Sequence, residues 1–203
     1  MRLKKLTLCF AILMALGMVP VQARAVPISS VTYDLINSGT TYGTVEIDLN
    51  TNTLATITFT DPNGFQGSNG NATVAVDPNA SSFSATITSP SGGTTATSGN
   101  GIKLNGIDFD LGIDYGGGPV TGPIIFTLTD NGATWANATN VLASGGDNDA
   151  GGHLYLGGSP TGFAFDNGTT SGTTSGNVPE PCTMLLLGSG LIGLAAFRSF
   201  KKA

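Results

Sequence analysis

The chain has 203 residues, a formal net charge of −5, 30 glycines, two cysteines and only 10% charged residues. Seven of its eight basic residues lie in the first 25 or the last 26 positions, which leaves residues 26–177 with Lys103 against twelve acids, a formal charge of −11. Such a surface repels phosphate backbones, whose binding rests on Lys and Arg, so nucleic acid is excluded as a partner.

Met1 to Ala25 has the three zones of a secretory signal: Arg2, Lys4 and Lys5, an apolar run from Leu6 to Val19, and Ala23-Arg24-Ala25 as a small-x-small cleavage site. This assigns residues 1–25 to a signal peptide with a helical apolar region, read by the Sec machinery and signal peptidase. Cys9 lies inside the apolar run and Cys182 near the other end. The exported part therefore contains no cysteine, and disulfides do not stabilise it.

Val31 to Ile36 reads as a first strand. Tyr42–Leu49 and Leu54–Thr60 read as a hairpin around Asn50-Thr51-Asn52-Thr53, with Val45, Ile47, Leu49, Ala55, Ile57 and Phe59 facing one way and Thr44, Glu46, Asp48, Thr56 and Thr58 the other. This alternation marks a sheet with one wet side. Ala72–Val76 and Phe83–Thr88 are expected to pair with each other, and the Gly/Ser/Thr stretch Ser89–Asn100 to form a long surface loop. Ile107 to Tyr115 is the clearest later strand, placing Ile107, Phe109, Leu111, Ile113 and Tyr115 opposite Asp108, Asp110 and Asp114. Further strands are expected at Pro123–Thr129, Trp135–Leu142, His153–Leu156 and Gly162–Asp166, and a flexible linker over residues 169–177. The expected fold is all-β, an antiparallel β-sandwich of jelly-roll type over residues 26–168.

Val178-Pro179-Glu180-Pro181 is stiff and extended, because both prolines fix φ and bias the residue before them away from helix. An uncharged apolar run from Met184 to Phe197 follows, then Arg198, Lys201 and Lys202. As a helix this run spans about 21 Å, short against a hydrocarbon core of about 30 Å, but the basic side chains can snorkel to the headgroups and hold that end in the cytoplasm. Residues 178–203 thus read as a sorting segment with a short hydrophobic membrane-anchoring helix.

With its Val-Pro-Glu-Pro, its Leu185-Leu186-Leu187-Gly188 run and its basic end at Arg198, this segment resembles the PEP-CTERM sorting tail of bacterial exported proteins. It departs from many such tails in having Cys182 after the second proline. The resemblance implies recognition by an exosortase, an intramembrane cysteine transpeptidase-like protease, and transfer of the exported part to the cell surface or extracellular matrix.

The chemistry in the exported part is sparse. His153 is its one imidazole, with Asp149 four residues earlier as a conceivable orienting group, and no Ser sits in a Gly-x-Ser-x-Gly elbow. One histidine without cysteine does not make a zinc site. Calcium suits the oxygen-rich composition better, and two places offer ligands: the strand stripe Asp108, Asp110 and Asp114, and the loop Asp147-Asn148-Asp149, which lacks the acid an EF-hand places at its twelfth position. A solvated acidic face explains both equally well, so no metal site and no catalytic residue is assigned. The expected function is that of a non-enzymatic surface or matrix protein in contact with exopolysaccharide and biofilm. The alternatives are a calcium-dependent carbohydrate-binding or adhesive module, and a secreted polysaccharide hydrolase acting through paired carboxylates.

Overall fold

The structure is a computed structural model that describes residues 27–67, 72–143, 148–157 and 161–175. These belong to one compact unit, Pro27–Asn177. The expected signal peptide, the sorting segment and the helices assigned to both lie outside the described residues.

The described residues form an all-β fold. Its strands are β1 (Ser29–Asn37), β2 (Thr40–Thr51), β3 (Leu54–Thr60), β4 (Phe65–Gly67), β5 (Val74–Val76), β6 (Phe83–Ser89), β7 (Thr94–Leu104), β8 (Ile107–Asp114), β9 (Gly118–Val120), β10 (Ile124–Asp130), β11 (Ala150–Tyr155) and β12 (Thr161–Ser175). All pairings are antiparallel and join into one sheet in the order β6-β10-β3-β2-β1-β12-β11-β5-β8-β7, with β4 and β9 attached beside β11.

The β2–β3 hairpin follows its sequence pattern. Val45 pairs with Phe59, Ile47 with Ile57 and Leu49 with Ala55, and all six side chains are fully buried. Ile124, Phe126 and Leu128 of β10 continue the same face, where the rings of Phe59 and Phe126 stack at 6.3 Å. Val74, Val76, Leu111, Ile113 and Leu154 from the other end of the sheet belong to the same core cluster. The sheet is therefore folded over on itself in a barrel- or sandwich-like closure. Its end strands β6 and β7 approach each other at Tyr115, whose hydroxyl donates to the Pro90 carbonyl at 3.0 Å and whose ring lies against Gly93.

Several local expectations are overturned. β5 and β6 do not pair: β5 lies between β11 and β8, and β6 lies beside β10. Much of the expected surface loop Ser89–Asn100 is the start of β7, because ladder hydrogen bonds need only backbone and Thr suits a strand. Trp135–Leu142 is not a strand. Of its buried residues Trp135, Ala138, Val141 and Leu142, the first three recur every third position, and Ala138–Asn140 forms a 3-10 turn, the helix with that period. Residues 169–175, expected as linker, are the end of β12 and pair with β1 as far as Ser29↔Ser175.

The single inward face expected for β8 is also divided. Leu111 and Ile113 join the main core, whereas Ile107 and Phe109 join a second cluster with Ala72, Ala75, Ile102 and Leu104. The division falls at Asp110, whose N–H donates to the Asp77 carboxylate at 2.7 Å instead of to a neighbouring strand, while β7 opposite carries an irregularity between Thr97 and Ile102. Past this bend the β7–β8 tip lies on the outer face of the sheet, where Phe109 stacks on Phe165 of β12 at 6.3 Å. Gly112 belongs there for a steric reason: a Cβ at this position meets Ile102 at 2.6 Å and Ala72 at 2.9 Å.

Candidate functional site

The acids expected to line one strand face do not act together. Asp108 is exposed and paired with Lys103 at 2.8 Å, an ion pair of little net stability in water. Asp114 accepts the Gly116 N–H at 2.8 Å and closes a turn. Asp110 instead joins acids from other strands. Besides its bond to Asp77, the Asp77 N–H donates to the Asp149 carbonyl at 2.8 Å, and the Asp166 carboxylate accepts the Ala150 N–H at 2.8 Å. Asn148, with φ 79°, donates its N–H to the Asp166 carbonyl at 3.0 Å.

Strand candidate Asp110 and loop candidate Asp149 are thus each hydrogen-bonded to Asp77, and Asp166 lies near enough to act on it; Asp77 and Asp166 are residues that sequence reasoning missed. Asp77 stands in an Asp-Pro turn and Asp166 at the end of an aromatic strand, and neither position signals an acid cluster. The electrostatics record the crowding. Burial pushes the Asp77 carboxyl above its ordinary value, the Asp110 N–H opposes this, and the charges of Asp110 and Asp166 add to the rise. Burial, then the charges of Asp166 and Asp149, raise the Tyr33 hydroxyl. Among the described residues no three His, Cys, Asp or Glu side chains are placed to hold a metal ion. Asp147 lies outside the described residues.

His153 is packed, not poised. Its ring stacks on Phe163 at 4.6 Å, and its buried Nδ1 has no hydrogen-bond partner among the described residues. Burial lowers its pKa, opposed by a hydrogen bond to the Gln66 backbone and not by Asp149. The ring is held in place by its stacking on Phe163.

Asp61 gives the clearest pH signature. Its Oδ1 accepts the Asn63 N–H at 2.8 Å, whereas its Oδ2 is buried without a partner among the described residues, and burial raises its pKa above 3.8. An acid whose folded pKa is raised contributes stability below its unfolded pKa and loses that contribution as pH rises through the folded pKa. Asp61→Asn, which keeps the acceptor and removes the charge, is therefore expected to gain stability relative to the parent between about pH 3 and about pH 7. Denaturant midpoints at the two pH values check this. A relative loss on going to neutral pH contradicts it.

Among the described residues no helix is long and apolar enough to cross a membrane. The 3-10 turn among the described residues carries no charge at either end. What the fold defines is an all-β domain whose last described strand, β12, ends at Ser175. Residues 177–202 match the PEP-CTERM protein-sorting motif, so this is an exported protein with a C-terminal sorting signal that an exosortase processes. No curated protein and no solved structure matches the chain.

Proposed function

We propose that the protein is a non-enzymatic structural module of the cell surface or extracellular matrix, associated with exopolysaccharide. The Sec machinery exports it and signal peptidase removes residues 1–25 beside Ala23 and Ala25. The apolar run Met184–Phe197 then holds it transiently in the inner membrane, with Arg198, Lys201 and Lys202 on the cytoplasmic side. Exosortase recognition rests on Val178, Pro179, Glu180 and Pro181. The observation that supports this reading is that the sorting motif begins at residue 177, two positions after the last strand residue, Ser175. The cargo it delivers is the whole β domain.

A second reading, a calcium-dependent carbohydrate-binding or adhesive module, rests on the charges of Asp110 and Asp166 beside Asp77, although among the described residues no three acids are placed to hold a metal ion. A divalent cation relieves such like-charge crowding, and calcium accepts irregular oxygen sets where magnesium demands a strict octahedron. One experiment tests both readings: co-sedimentation of the processed protein with polysaccharide from the same cells, in calcium, magnesium or neither. Retention in all three supports the structural module. Retention only with calcium, lost in Asp77→Asn/Asp110→Asn, supports the second reading, and no retention under any condition sinks both.

A further inference from the structure

The C-terminal end of β12 is held differently from the rest of the strand. Between Thr161 and Phe165 the strand has β11 on one side, and at Phe165 and Asp166 it pairs with β1 on the other. Beyond Asp166 its strand pairing, among the described residues, is with β1 alone: Thr170 with Tyr33, Gly172 with Thr32, then Thr173, Thr174 and Ser175 with Val31, Ser30 and Ser29. The ladder is irregular on both sides of Tyr33, and Gly168 has φ 69°. A break in the ladder and a left-handed glycine thus set this terminal segment apart.

Residues 169–175 are Thr-Thr-Ser-Gly-Thr-Thr-Ser, without an apolar side chain. Thr170 and Gly172 are exposed. Segments with few buried apolar contacts and solvent-exposed hydrogen bonds open at a small fraction of the global unfolding free energy. β1 has a second partner besides β12. It pairs with β2 from Ser29↔Leu49 to Asn37↔Thr40, it buries Val31 and Leu35 completely, and Ser29 Oγ accepts the Ala138 N–H at 2.7 Å.

Chain length makes the opening matter. Pro179 lies four residues beyond Ser175, at most about 14 Å of extended chain, and the headgroup zone of a bilayer takes roughly 5–8 Å of that. With residues 169–175 free, the tether from Gly168 reaches about 40 Å.

We propose that Thr169–Ser175 is a detachable strap: the sorting signal reaches its membrane protease when this segment unzips from β1, so the β1–β12 pairing sets the rate of processing. The proposal rests on exosortase processing of Val178–Pro181 and adds its control by the folded domain. The strap positions the cleavage site and takes no part in the chemistry.

The test follows processing of the full chain in cells with the matching exosortase. Ser30 and Thr174 are directly opposed. Opposed antiparallel residues have Cα atoms about 4.5–5.5 Å apart, within the span of a disulfide. In Ser30→Cys/Thr174→Cys, bridge formation, verified by mass before and after reduction, is expected to slow the conversion of precursor by an order of magnitude or more, with recovery on adding reductant. Gly172→Pro, which cannot donate to the ladder, is expected to speed conversion.

A ten-residue Gly/Ser insertion after Gly176 in the bridged variant separates reach from misfolding, and is expected to restore conversion while the bridge stays closed. Bridged and parent chains converted at one rate overturn the strap, as does a bridged chain that stays slow with the insertion. If the parent itself is converted no better than Pro179→Ala/Pro181→Ala, the exosortase reading fails instead.

Discussion

Alanine at both Pro179 and Pro181 is expected to leave the protein as an uncleaved precursor in the membrane fraction of cells that carry the matching exosortase. Proline fixes φ and disfavours the helical region for the residue before it, so the sequence at Val178–Pro181 favours extended backbone. Ala is the best helix former, and its substitution there removes that bias. Proteases cleave extended backbone, and a helical site hides the bond. The effect is close to all-or-none, and an immunoblot of membrane and extracellular fractions reads it directly. Equal release of parent and variant sinks the assignment of Val178–Pro181 as the recognised element.

Truncation of Phe126 is expected to be the most damaging core change, about 3–5 kcal/mol, whereas Asp108→Asn is expected to stay within about 0.5 kcal/mol. Phe126 is 1% exposed and stacks on Phe59, between β3 and β6, so its loss opens a cavity that a closed sheet collapses poorly. Asp108 is 69% exposed and meets only Lys103 across the β7–β8 tip. Phe109→Ala falls between them, because its ring lies in the smaller outer cluster against Phe165. Urea midpoints order the three variants. If Phe109→Ala is as costly as Phe126→Ala, the outer cluster is as integral to the fold as the main core.

The difference between these two phenylalanines marks where sequence reading stops. Alternation along one strand is a local property, and in β2, β3 and β10 it identified the buried side chains because the β2–β3 and β3–β10 registers are unbroken from Thr44 to Leu49 and from Ile124 to Thr129. Ile107 to Ile113 alternate just as well. There the bend is imposed by the carboxylate of Asp77, 33 positions away from Asp110, and no window of sequence contains both. The acid cluster was illegible for the same reason. Asp110 and Asp149 were recognisable as oxygen donors, but their meeting depends on Asp77 and Asp166 and on the order β12-β11-β5-β8.

By itself the sequence determined the C-terminal sorting signal and the all-β class. Both are written in contiguous residue types: the order of prolines, apolar run and basic residues in the last segment, and period-two alternation with Thr-rich faces before it. Tertiary structure alone decided how strands beyond the β2–β3 hairpin pair, that Ala138–Asn140 forms a 3-10 turn, and that residues 169–175 are strand. A polar Thr/Ser/Gly segment has no apolar pattern to reveal its state. Whether it is ordered depends on a free row of backbone donors and acceptors nearby, and β1 supplies that row because β2 occupies only its other edge.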